Sequence, residues 1–133
     1  MIRTALAWTG ATAVLLPVLS GCSGTPHRSA VTAAARAFVQ HVRAGEGDAA
    51  CALLTDDTRS SVPGATDQTC AKAITNVKEQ GSGVGRVAVW GDAAQVRIGT
   101  DVVFLRRMAG HWLVSAAGCK PQPDGPYDCE VGG

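Results

Sequence analysis

"RVAVWGDAAQVRIGTDVVFLRRMAGHWLVSAA", residues 86–117, alternates apolar and polar side chains with a period of two. Successive side chains of a strand point to opposite faces, so this alternation makes strands with one buried face. Ala94, Val96 and Ile98 fall on one face, Gln95 and Arg97 on the other. Four strands are expected: Arg86–Trp90, Ala93–Gly99, Val102–Met108 and His111–Ala117. Gly91-Asp92 and Ala109-Gly110 read as hairpin turns, and Gly99-Thr100-Asp101 as a looser one. Val102 to Leu105 is apolar on both faces, which puts the third strand in the middle of the sheet.

Upstream the period becomes helical. Ser29 is the expected N-cap of a helix running to about Ala44 and stopped by Gly45. Val31, Ala34, Ala35, Phe38 and Val42 share one face, and Arg36, Gln40 and Arg43 the other. His41 flanks the apolar stripe as a partly exposed position. Asp48 caps a short second helix, Ala49 to Leu54, offering Ala50, Leu53 and Leu54 to a core. Residues 55–64 are polar and end in the turn signal Pro63-Gly64. A third helix is expected from Asp67 to Glu79, with Cys70, Ala71, Ile74 and Val77 in register. "GSGVG", residues 81–85, follows a helix and precedes a strand, the reverse of a phosphate loop, and reads as a linker. The final "CKPQPDGPYDCEVGG", residues 119–133, holds three of the six prolines and cannot extend a sheet interior.

A chain of 133 residues supports one domain. Aromatic residues make up only 5%, so the core is built from small side chains that bury less area each. Covalent staples help a domain of this size. The formal charge is +1, and no basic run exceeds Arg106-Arg107, so the concentrated stripe of a nucleic-acid binder is missing. Arg106-Arg107 reads as a strand edge or solvated face, with anionic lipid headgroups as the alternative contact.

The N-terminus opens with Arg3, continues through a mostly apolar run from Ala5 to Leu19, and reaches Leu19-Ser20-Gly21-Cys22. The run is shorter than the roughly 20 residues a spanning helix needs, and Pro17 interrupts it. It has the length of a secretory signal. Leu-Ser-Gly-Cys resembles the lipobox of bacterial lipoprotein signal peptides. The resemblance implies cleavage after Gly21 and a diacylglyceryl group on Cys22, and hence a lipid anchor on the extracytoplasmic face of the cell membrane. Residues 1–21 are then the signal peptide, 22–29 a lipidated tether, and 30–133 the folded domain. The alternative is an ordinary secretory signal with a chance cysteine.

Of five cysteines, four remain for the domain: Cys51, Cys70, Cys119 and Cys129. In an oxidising compartment they pair, in one of three connectivities. Cys51–Cys70 and Cys119–Cys129 are favoured, because each pair is close in sequence and sits on neighbouring expected elements. A zinc site needs closer cysteine spacing, and His27, His41 and His111 are scattered over tether, helix and strand, so no metal or other cofactor is expected.

Helices followed by an antiparallel meander make an α+β fold. On "AARAFVQHVRAGEGDAACALL" (34–54), "VAVWGDAAQVRI" (87–98) and "VVFLRRMAGHWLVSAAGC" (102–119), the chain resembles the cone-shaped NTF2-like fold. It is similar there to small exported lipoproteins of high-GC Gram-positive bacteria, in which a helix cysteine and a C-terminal cysteine pair recur. Enzymes of that superfamily work with an acid inside the cone, but His111, Arg97 and Asp101 match no catalytic motif, and no catalytic residue is carried over. Gly81-Ser82-Gly83 has neither the spacing nor the context of a nucleophile elbow. Trp90 and Trp112 are expected in core packing, with pocket lining as the alternative, and Tyr127 lies in the proline-rich tail. The expected function is a non-enzymatic, lipid-anchored binding or interaction domain that takes a small apolar ligand or a protein. The alternatives are an accessory subunit of a membrane complex and a cavity-based hydrolase or isomerase. An enzyme would point several titratable groups into the cavity; a binding module would line it with apolar side chains.

Overall fold

A computed structural model describes residues 25–62, 68–78, 81 and 83–132. The expected signal peptide, 1–21, and Cys22 lie outside the described residues. The chain folds as α1 (Thr25–Ala44), α2 (Gly47–Ala52), α3 (Asp56–Ser61), α4 (Cys70–Ile74), then β1 (Val84–Trp90), β2 (Ala93–Ile98), β3 (Asp101–Met108), β4 (His111–Gln122), β5 (Gly125–Asp128) and β6 (Val131–Gly132). The fold is α+β, and the helices precede an antiparallel sheet of six strands rather than about four.

Helix α1 begins before Ser29, so residues 25–29 are the first turn of a helix and not a tether. Tertiary partners extend it. The His27 ring meets Trp112 edge-on at 6.4 Å, and the Arg28 guanidinium donates to the Val87 carbonyl at 2.6 Å. At the other end Gly45 takes φ +72°, while Glu46 N–H donates to the His41 carbonyl and Gly45 N–H to that of Val42. This is the left-handed closure that glycine permits at low cost. The expected apolar face is observed: Val31, Ala35, Phe38 and Val42 are buried, joined by Val39.

Asp48 does not cap α2. The helix starts two residues earlier, at Gly47, with Glu46 at the N-cap making no side-chain cap bond, and it ends at Ala52 instead of Leu54. The polar stretch after it, read only as polar and ending in a turn, contains α3. Thr55 Oγ1 accepts from Thr58 N–H at 3.3 Å, and the Thr58 hydroxyl donates to the Ser115 carbonyl at 2.8 Å. The hydroxyls of two buried threonines, Thr55 and Thr58, hold this turn against β4 without an apolar face. The third expected helix ends at Ile74 instead of Glu79, for the Thr75 hydroxyl turns back onto the Lys72 carbonyl and closes the last turn. Its expected start at Asp67 lies outside the described residues. Cys51–Cys70 joins α2 to α4, and Cys119–Cys129 ties β4 to the segment between β5 and β6.

The strands run in the order β1-β2-β3-β4-β5, with β6 also on β4. Ala94, Val96 and Ile98 are buried and Arg97 is exposed, as the alternation requires. β3 is central and covered on both sides: Val103 and Leu105 face the helices, while Val102 packs with Ala116, Cys119 and Phe104 beneath the tail. The tail was expected to stay out of the sheet interior, and it adds strands only along the margin of β4. Register shifts in β1 and in the β3–β4 pair mark bulges, which bend strands.

Candidate functional site

The space between α1 and the sheet is filled by Val31, Phe38, Val96, Ile98, Leu105 and Val114, all fully buried. The opening lies at one end of this core, where α1 and α2 meet the β3–β4 hairpin. It is a groove of about 800 Å³, lined by Ala30 and Ala34 of α1, Ala52 and Leu53, Asp56, and hairpin residues 108–113. The hairpin is tight because Ala109 (φ +49°) and Gly110 (φ +82°) both enter the left-handed region, as a two-residue turn of type I′ demands. That geometry sets Met108 and His111 opposite one another at the groove mouth.

Trp112 forms part of the groove floor. It is buried in the core and also lines the groove, so both readings of this tryptophan apply. Trp90 does not pack in the core: it is 54% exposed at the end of β1. Two titratable groups border the groove, and neither is drawn inside. The Asp56 carboxylate is solvent-exposed and paired with Arg59, and His111 is exposed. Asp101 is buried at the start of β3, near Thr100, and Arg97 lies on the outer face of the sheet; neither lines the groove. The structure thus does not assemble His111, Arg97 and Asp101 into one site.

The remaining singled-out residues have structural partners. His41 Nδ1 bonds to the Glu46 carboxylate across the end of α1. Arg107 binds Asp92 twice, through Nε at 2.8 Å and a terminal nitrogen at 2.6 Å, clamping the β1–β2 turn to β3. Arg106 is exposed. Among the described residues no three histidine, cysteine or acidic side chains converge as metal ligands. No described helix is long and apolar enough to cross a membrane.

Sequence reasoning did not find Ala30, Leu53 or Met108 as groove residues. Leu53 was placed with Leu54 in the core, but it is only half-buried while Leu54 is buried. Only the Ala109-Gly110 turn signalled a tight hairpin there.

Fold and groove together define a disulfide-stapled α+β domain with an apolar surface cleft. No protein-family model, curated protein or solved structure matches the chain.

Proposed function

We propose that this chain is a lipid-anchored, extracytoplasmic binding domain with an NTF2-like arrangement, and that its groove takes a small apolar ligand. The observation that carries the reading is the groove itself: about 800 Å³, within the size range of ligand pockets, with alanine, leucine, methionine and tryptophan on its walls and titratable groups only at the rim. This distribution suits retention of a ligand rather than proton transfer. The helices-first order and the packing of α1 across one face of a bulged sheet support the NTF2-like assignment. Leu-Ser-Gly-Cys at 19–22 supports the anchor.

The anchor also favours an apolar occupant drawn from the bilayer. Thr25, where α1 begins, is three residues beyond Cys22. Three residues span at most about 11 Å. At about 1.5 Å rise per residue, Ala30 follows within another 8 Å or so along the helix. The groove therefore opens close to the attachment point.

An apolar fluorescent probe, N-phenylnaphthylamine, tests the reading on the full chain. Its emission is expected to rise on binding, and Ala30→Phe, a change at an exposed helix position lining the groove, is expected to weaken binding about tenfold by occupying the space. Equal probe binding by the parent and Ala30→Phe would exclude the groove.

A further inference from the structure

On the outer face of the sheet, away from the helices, a second cavity of about 620 Å³ is lined by Arg86, Ala88, Gln95, Arg97 and Tyr127. The register places its two arginines together. Val84 pairs with Ile98 and Val87 with Val96, so Gly85 and Arg86 of β1 both oppose Arg97 of β2. A bulge of this kind re-aims a side chain and is common beside binding sites. Gly85 has no side chain, and the Arg97 stem lies over it, 3.6 Å from where a Cβ would stand.

Like charges directly opposed across strands repel. Among the described residues, no carboxylate pairs with Arg86 or Arg97. Among the described residues, the other polar side chains lining the cavity are Gln95 and Tyr127. Gln95 Nε2 donates to the Tyr127 oxygen at 3.4 Å, which leaves the phenolic hydrogen to donate elsewhere. Tyr127 is held edge-on against Phe104 at 5.0 Å, in the strand that follows Cys119 and precedes Cys129. The cavity thus concentrates hydrogen-bond donors and positive charge, with no acidic side chain among the described residues of its wall.

We propose that this cavity is an anion site that takes a phosphate group, with Arg86 and Arg97 as paired guanidinium clamps and the Tyr127 hydroxyl as a further donor. Two guanidinium forks match phosphate oxygens in geometry and charge. The bound anion would neutralise the opposed arginines. The phosphate can belong to a lipid headgroup or to a soluble molecule. The site is separate from the apolar groove and stands whether or not that groove is occupied.

The test is calorimetric titration of the full chain with inorganic phosphate at fixed ionic strength. Saturable binding is expected, weakened about tenfold or more by Arg97→Gln. Arg106→Gln, at an exposed arginine outside the cavity, is expected to bind as the parent does. A second arm measures binding to phosphatidylcholine vesicles with and without phosphatidic acid. Vesicle binding that needs Arg97 and is competed by inorganic phosphate supports the headgroup source; phosphate binding with no Arg97-dependent vesicle binding supports a soluble source. No saturable phosphate binding by a parent chain with normal circular dichroism overturns the proposal. Equal losses in Arg97→Gln and Arg106→Gln overturn it too, since they would report general charge.

Discussion

At Gly47, the first residue of α2, packing leaves no room for a side chain. A Cβ there would lie 2.6 Å from the Ala71 carbonyl carbon and 2.8 Å from Ala71 Cα, both backbone atoms of α4. Backbone cannot swing aside as the end of a side chain can, so Gly47→Ala must push α4 away from α2. Forced overpacking costs about 1–3 kcal/mol. Urea denaturation is expected to show that loss, whereas Gly47→Ala with an unchanged midpoint would mean that α4 gives way freely. The same scale shows what a sequence conceals. Gly45 was legible as a helix stop because a left-handed residue after an apolar stripe has a known signature. Gly47 carried no signal, since its constraint comes from a residue 24 positions away. Trp90 was misread for a related reason: its alternation with Val89 is visible, but its place at the exposed end of an edge strand is set by partners.

Among the elements, β4 determines most. Val114 accepts from Thr55 N–H at 2.9 Å and donates to the Leu53 carbonyl at 2.8 Å, so the chain after α2 seals part of its margin. β6 covers Ala116 and Ala117, and β5 covers Lys120 and Gln122. At the opposite side of the sheet, the Arg28 guanidinium occupies a β1 carbonyl. Unpaired strand edges invite association, and these contacts blunt them. The alternating core of the sheet was readable from residues 86–117. The continuation of β4 was not, because Gly118 and Pro121 resemble terminators when neighbours are unknown. β5 and β6 were hidden similarly: proline and glycine disfavour strands in general but are tolerated on edges. Cys119–Cys129 fastens these short strands. Replacing both cysteines by serine is expected to lower the unfolding free energy by about 3 kcal/mol, through a loop closed between residues 10 apart. Near-ultraviolet circular dichroism should also report a freer Tyr127 as the Phe104 contact loosens. An unchanged denaturation midpoint would show that edge pairing alone holds the tail.

For the whole molecule, the two candidate sites sit on different sides of one sheet, and the proposed anchor precedes the helix that borders the groove. The expected consequence of Cys22→Ala is loss of lipid labelling and release of the protein from the membrane fraction, with the denaturation midpoint of the domain unchanged. Retained labelling would remove the anchor from the proposal. Separating location from stability in this way is possible because Cys22 is not one of the four bonded cysteines. That one cysteine is left over was legible from the odd count, and the Leu-Ser-Gly-Cys pattern singled out Cys22. The groove was not, because its walls come from α1, α2 and a hairpin more than 50 residues further on, and no local pattern marks alanines that happen to border an opening.

Val131 is almost fully buried and belongs to the same core as Val31 and Phe38, yet its strand follows every other element in the chain. A polypeptide emerging N-terminus first therefore cannot complete its interior until β6 has appeared. Until then the interior lacks one of its buried side chains. The order of the elements thereby sets the timing: the core closes only with the last strand.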